Sequence, residues 1–167
     1  MTTIFPVLVK CPNCGTVFKS TTLGSYGHAS VDECGCQRFW GLNPMPFFIR
    51  ICPSCEFIDW DSSFSIDRSS RPEGLLREER KNCDLFMRFG HKLEEKGEIK
   101  PAMLVYFNAG CCYRVEHKEE FQSAFQEAIR LLEHILESEG DVDIQGIRAS
   151  SLLNRLKNCS SEEKITS

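Results

Sequence analysis

The chain has 167 residues, of which 41% are hydrophobic and 26% charged, with ten cysteines and a net charge of −4. This length allows one ordinary domain, or a small metal-stabilised module joined to a helical one. The charge gives no general attraction to nucleic-acid phosphates or anionic membranes, and no apolar run reaches the roughly 18 to 20 residues that cross a bilayer.

Residues 1–67 have the pattern of short strands and turns. They contain both tryptophans and short β-type runs at 5–9 and 47–51. Residues 68–74, RSSRPEG, combine serine, proline, glycine and charge, as linkers do. We therefore place a domain boundary after a first module at 1–67.

From Leu75 onward the apolar spacing predicts helices. The first covers about 75–96, the second begins near Pro101, and the third covers about 119–138 with one apolar face. A fourth short helix is predicted over 147–156. We expect a helical module at 75–157 and a disordered tail at 158–167.

The second and third helices have the spacing of a tetratricopeptide hairpin. Tyr106, Gly110 and Tyr113 match the aromatic, small and aromatic positions of a first helix, and Ala124 and Ala128 match the small positions of a second. The predicted fold class is therefore α+β, with a small β zinc-ribbon-like module followed by a tetratricopeptide-like α-helical hairpin or bundle. Stacked helix pairs of this kind leave a face that binds peptides, whereas a plain bundle would only cover the first module or form a dimer.

Two CPxC motifs predict a metal site, with Cys11 and Cys14 in the first and Cys52 and Cys55 in the second. Two cysteines three residues apart on a tight turn, here called a knuckle, can direct both sulfurs at one ion. Two knuckles complete a closed tetrahedral site with four sulfur ligands, which suits one structural Zn²⁺ per chain. A rubredoxin-like iron site uses the same ligands.

The remaining cysteines leave several interpretations open. Cys34 and Cys36 could replace knuckle ligands, bind a second ion with His28, pack as free thiols, or oxidise to a Cys34–Cys36 disulfide. We favour packing or a free thiol, because a second site needs two more ligands than the pair supplies. In the helical half, we expect Cys83, Cys111 and Cys112 to be buried free thiols. We expect Cys159 to be exposed.

The N-terminal sequence, MTTIFPVLVKCPNC, lacks a basic segment followed by a long apolar run. It therefore does not have the pattern of a secretory signal. We expect a cytoplasmic chain with reduced thiols, in which closely spaced cysteines bind metal.

The runs CPNCGTVF, DEC, GLNP and FFIRICPSCEFIDWDSSF together resemble a prokaryotic family catalogued as domain of unknown function 2225. The resemblance covers roughly residues 5–136 and implies a zinc-ribbon segment followed by tetratricopeptide-like helices. It places the four CPxC cysteines at the metal-ligand positions. Glu56 stands where the family usually has glycine, so this turn is less favourable if it requires a positive φ. The family brings no established activity.

The sequence has none of the usual marks of an enzyme: no activated nucleophile, no paired acid and base, and no metal with an open coordination position. We expect a non-enzymatic zinc-binding protein whose helices bind a protein partner or a second copy of the chain, with no membrane or small-molecule ligand. A nucleic-acid-binding ribbon is disfavoured because residues 1–67 have four basic and six acidic residues, a net −2. A thiol-redox or zinc-sensing regulator is the other alternative.

Overall fold

The computed structural model describes residues 2–70, 72, 77–79 and 81–161. Two compact units are present: one contains Met1–His28 and Phe39–Leu85, and the other contains Ala29–Arg38 and Phe86–Ser167. The α+β class is confirmed, since strands dominate the first part and four helices follow. Within the described ranges, no helix is both long and apolar enough to span a membrane.

The strands are short and mostly precede the helices. In chain order they are β1 (Thr3–Lys10), β2 (Val17–Ser25), β3 (Gly27–Val31), β4 (Gln37–Trp40), β5 (Ile49–Ile51), β6 (Ile58–Trp60), β7 (Ser65–Asp67), β8 (Asp143–Ile144) and β9 (Ile147–Arg148). The helices are α1 (Asp84–Glu95), α2 (Ile99–Val115), α3 (Phe121–Glu139) and α4 (Ala149–Ser161). Short 3-10 turns occupy Met45–Phe47 and Asp61–Ser63.

The first unit is built on an antiparallel sheet in the order β2–β1–β7. Alternate residues of β1 point into its core, where Val7 and Val9 pack with Phe18, Phe64 and two of the CPxC cysteines. A second, two-stranded sheet pairs β5 with β6. Both β1 and β5 lead directly into a CPxC motif, so the two sheets carry the two knuckles.

The predicted start of the first helix, at residue 75, was wrong. Helix α1 begins at Asp84, whereas residues 77–79 are extended and Glu78 pairs with Lys19 of β2 in a parallel bridge. Backbone bonds of 2.9 Å join Lys19 to Arg77 and to Glu79. Tertiary pairing along the edge of β2 therefore overrides the helical propensity of this charged segment. Leu75 and Leu76 lie outside the described residues.

The second unit has a helical core formed mainly by α2 and α3. The apolar stripe predicted for α3 is buried, from Phe121 to Ile135. Gly110 of α2 lies against Phe125 of α3, and a Cβ atom at Gly110 would overlap the Phe125 ring. The small residue at this position therefore sets how closely the two helices approach. The tetratricopeptide-like geometry stays a prediction.

Helix α4 extends beyond the predicted segment and runs through residues 158–161, which the sequence assigned to the tail. Leu152, Leu156 and Cys159 are buried at spacings of four and three, so they form one continuous face. The expectation of an exposed Cys159 was wrong, since it is 5% exposed. Residues 162–167 lie outside the described residues.

We predict that Gly110→Ala destabilises the helical unit by about 1–3 kcal/mol through overpacking against Phe125, partly offset by about 1 kcal/mol of better helix propensity. Chemical denaturation of the wild type, both single variants and the Gly110→Ala/Phe125→Leu double variant would measure this. A smaller ring at Phe125 should relieve the overlap, so the pair should show a favourable coupling energy. Additive effects of the two changes would contradict the packing argument.

Candidate metal centre

The two CPxC motifs form the same turn. In each, the amide of the first cysteine donates to the carbonyl five residues later, from Cys11 to Thr16 and from Cys52 to Phe57, at 2.9 Å. The amide that follows the second cysteine donates back to the carbonyl of the first, also at 2.9 Å in both motifs. These bonds close each loop and fix the direction of its two sulfur atoms.

The structure brings together all four cysteines predicted as metal ligands. The Sγ atoms of Cys11, Cys14, Cys52 and Cys55 lie within 4.8 Å of one another. The Sγ atoms of Cys11 and Cys55 are 3.7 Å apart, as are those of Cys14 and Cys52. Four sulfurs bound tetrahedrally at about 2.3 Å from an ion would be about 3.8 Å apart. The cluster could therefore hold a metal ion with little rearrangement.

Two of the four cysteines, Cys11 and Cys52, are buried in the core of the first unit. Burial raises the pKa of the Cys11 thiol, and it raises that of Cys52 to about 12. These thiols would stay protonated without a compensating charge. A cation at the centre of the cluster supplies that charge, because metal coordination deprotonates a thiol.

The other two cysteines, Cys14 and Cys55, are more exposed and have polar partners in or next to the first knuckle. A hydrogen bond with the Thr16 hydroxyl, 3.1 Å from Cys14 Sγ, lowers the pKa of Cys14 to about 6. The side-chain amide of Asn13 donates to Cys55 Sγ at 3.5 Å and lowers the pKa of that thiol. Because Asn13 belongs to the first motif and Cys55 to the second, this bond also joins the two knuckles.

Comparison with known proteins identifies one family. The sequence profile described as "Uncharacterized protein conserved in bacteria (DUF2225)" matches residues 5–94, just over half of the chain. The chain belongs to this family. The match includes both knuckles and α1 as far as Glu94. Neither the curated proteins nor the solved structures gave a match.

The second knuckle places a residue with a Cβ atom, Glu56, in a left-handed conformation. Glu56 has φ +61°, and Gly15 at the equivalent position of the first knuckle has φ +76°. A left-handed conformation costs a residue with a Cβ atom roughly 1–2 kcal/mol. The turn therefore does require the positive φ that made Glu56 unfavourable.

A buried carboxylate supports the strand that enters the second knuckle. Glu79 Oε1 accepts the amide of Ile51, the residue before Cys52, at 2.9 Å. Its Oε2 atom accepts from the Ser20 hydroxyl and from Arg50 Nη1, the latter at 3.0 Å. The side chains of Arg50 and Glu79 are both fully buried. Glu79 thus ties β5 to β2 at the residue that precedes the second knuckle.

Neighbouring basic side chains extend this support. Arg77 Nη1 donates to the carbonyl of Pro53, inside the second knuckle, at 2.7 Å. Lys81 Nζ donates to the Ile49 carbonyl at 3.0 Å and lies 3.2 Å from Glu79 Oε2. Burial lowers the pKa of Lys81 to about 8. Sequence analysis missed this cluster, and its one signal was the arginine inside the apolar run FFIRI.

Cys34 and Cys36 belong to neither a knuckle nor a second metal site in the described residues. Cys34 forms a disulfide with Cys159 and Cys36 forms one with Cys111. The prediction that both are buried is confirmed. The prediction that they are free thiols, and the alternative that they bond to each other, were wrong. The partners are 125 and 75 residues away in sequence, so no local spacing could indicate them.

The prediction of reduced thiols outside the knuckles was also wrong for the helices. Cys111 is disulfide-bonded, and Cys83 and Cys112, although buried as expected, are not free thiols either. The free cysteines of the described chain are the four of the metal cluster. The structure therefore separates the cysteines into metal-ligand candidates and disulfide partners.

Replacing Cys11 or Cys52 with serine should abolish metal binding and unfold the first unit, because metal-binding free energy in small modules is largely folding free energy. Metal content and near-ultraviolet circular dichroism would measure both effects. Ser54→Ala, an exposed change inside the second knuckle, is the matched control and should leave both unchanged. Retention of metal and fold by both cysteine variants would contradict the site.

Glu56→Gly should stabilise the first unit by about 1 kcal/mol relative to Glu56→Ala, since only glycine relieves the left-handed conformation. The comparison with alanine is the informative one, because both substitutions remove the same side chain. Thermal denaturation of the two variants with the metal site loaded would measure the difference. Equal stabilities would show that no strain resides at this position.

Glu79→Gln should destabilise the first unit by about 3–5 kcal/mol, because it leaves the buried cations Arg50 and Lys81 without their carboxylate. Glu78→Gln, one residue earlier and exposed, is the control and should change stability by less than about 0.5 kcal/mol. Urea denaturation would measure both variants. Similar small effects for the two substitutions would refute the role given to Glu79.

Proposed function

We propose that this chain is a non-enzymatic zinc-binding protein that acts by binding another protein or a second copy of itself. The observation that carries the proposal is the convergence of the Sγ atoms of Cys11, Cys14, Cys52 and Cys55 within 4.8 Å. Four protein ligands fill a tetrahedral site completely. Such a closed site stabilises a fold and leaves no coordination position for a substrate.

Zinc is the ion that best suits the cluster. Four thiolates in tetrahedral geometry favour zinc, and iron in a rubredoxin-like site is the competing choice. The two buried thiols, Cys11 and Cys52, carry a raised pKa and need a bound cation to ionise. One zinc ion per chain would offset the thiolate charge and lock the two knuckles together.

A second polar cluster, in the helical unit, supports a structural interpretation over a catalytic one. The hydroxyl of the fully buried Tyr106 lies 2.8 Å from His91 Nδ1 and donates to Glu94 Oε1 at 3.0 Å. Arg130 Nη2 donates to Glu94 at 2.7 Å and to Glu127 at 2.6 Å. Burial raises the pKa of Tyr106, and the Arg130 hydrogen bond lowers that of Glu94. These two shifts keep Tyr106 neutral and Glu94 ionised, unlike an acid–base pair tuned toward neutral pH.

Two surfaces are candidates for partner binding. The tetratricopeptide-like spacing assigns this role to the helices, which would hold a peptide or a second chain. In the first unit, Trp40 is 62% exposed, Leu42 50% and Tyr26 48%. Exposed aromatic and aliphatic side chains of this size are typical anchors of protein interfaces. Trp40 could also stack on a nucleic-acid base, but the net −2 of residues 1–67 opposes that binding.

Native mass spectrometry of protein purified without added metal tests the proposal. We expect one zinc per wild-type chain and none in Cys11→Ser. If the protein is a dimer and the double variant Trp40→Ser/Leu42→Ser is a monomer, self-association through the first unit is supported. A dimer that resists this double change would support the helices. Iron or two metals per chain would refute the zinc assignment, and a monomer that captures no partner by cross-linking would refute the binding role.

A further inference from the structure

The tip of the β3–β4 hairpin, residues 29–38, belongs to the helical unit and is attached to it by two disulfides. Cys34 is bonded to Cys159 of α4, and Cys36 is bonded to Cys111 of α2. One short turn, DECGC, therefore connects to two different helices. Its attachment depends on the oxidation state of four sulfur atoms.

Apart from its cysteines, the hairpin tip contributes little to the packed core. Cys34 and Cys36 are the buried residues of this segment, whereas Ala29, Ser30 and Val31 are exposed. Val31, its one large apolar side chain, is 58% exposed. Hydrophobic burial therefore cannot hold the tip on the helices if the disulfides open.

An ionic contact forms the second attachment of the tip. Arg114 of α2 places Nε 3.1 Å from Asp32 Oδ2 and Nη2 3.1 Å from Glu33 Oε1. The other carboxylate oxygen of Asp32 accepts the amides of Cys34 and Cys36 at 2.9 Å. The same aspartate thus binds the helix and shapes the turn that presents both cysteines. This contact does not depend on oxidation state.

The helical core does not need the tip for its own packing. Phe125 is fully buried against Gly110, and Phe121, Leu132 and Ile135 continue the apolar face of α3. None of these side chains belongs to the tip. Opening the two disulfides should therefore release the tip and leave α2 and α3 packed.

We propose that the hairpin tip is a redox latch, closed by the Cys34–Cys159 and Cys36–Cys111 disulfides and opened by a dithiol reductant. Each disulfide takes two electrons and two protons to give two thiols, while the dithiol loses them and closes to a cyclic disulfide. The four free cysteines of the metal cluster must be reduced to bind an ion. The chain therefore carries sulfur in both redox states, and in chains of reducing compartments disulfides are usually transient or redox-sensing. This proposal does not depend on the function proposed above.

Alkylation of the unfolded, unreduced protein followed by mass spectrometry tests whether the latch is closed. We expect iodoacetamide to leave Cys34, Cys36, Cys111 and Cys159 unmodified until a reductant is added. Alkylation of these four cysteines without reductant would overturn the proposal.

Hydrogen exchange of the full, zinc-loaded chain tests the opening. Dithiothreitol, with zinc in slight excess, should raise the exchange rate of residues 29–38 at least tenfold and change that of 121–135 less than twofold. An unchanged tip would overturn the latch. Because dithiothreitol also reduces the disulfide bonding of Cys83 and Cys112, an equal loss of protection in α3 would overturn the latch if it also occurs in Cys34→Ser/Cys36→Ser without reductant.

Two variants separate the disulfides from the ionic contact. Cys34→Ser/Cys36→Ser should show the reduced pattern without any reductant. Adding Arg114→Gln to it should increase tip exchange further, whereas Arg130→Gln, which breaks the ion pairs of this α3 residue with Glu94 and Glu127, should not. A tip that stays protected in the double cysteine variant would contradict the latch.

Discussion

The first unit is organised around four cysteine sulfurs that could bind one cation. Two of the sulfurs, those of Cys11 and Cys52, are buried in its apolar core. Small modules gain limited net stability from an apolar core alone, so a bound ion would add to it. Metal binding would ionise the buried thiols and join the sheet that carries the first knuckle to the sheet that carries the second. The turns of both knuckles direct the four sulfurs at one point, which is consistent with that role.

The Glu79 cluster explains why the unit extends past the second knuckle. The backbone bond that closes the second knuckle ends at Phe57, yet the family match continues to residue 94. The segment around Glu79 covers the edge of β2, accepts the amide that precedes Cys52 and neutralises the buried Arg50. An edge strand and a buried charge are each unfavourable when left without a partner, and one short segment satisfies both.

The cysteines serve two kinds of chemistry, and local backbone geometry separates them. The CPxC turns point two sulfurs in one direction, which favours a shared ion. The CGC turn instead places Cys34 and Cys36 against different helices, where each meets one other cysteine. Metal affinity and thiol oxidation are thereby assigned to different residues of the same chain. A metal site at the CPxC cysteines and disulfides at Cys34 and Cys36 are compatible for this reason.

The sequence by itself predicted the four candidate metal ligands, the α+β order and the apolar face of α3, and it indicated that Glu56 would be unfavourable if its turn required a positive φ. These are local properties, because a knuckle, a helical stripe and a turn are each defined by a few consecutive residues. Only the tertiary structure decided the partners of Cys34, Cys36 and Arg50 and the extended state of residues 77–79. Each of those depends on contacts between residues far apart in sequence, which spacing and periodicity do not encode.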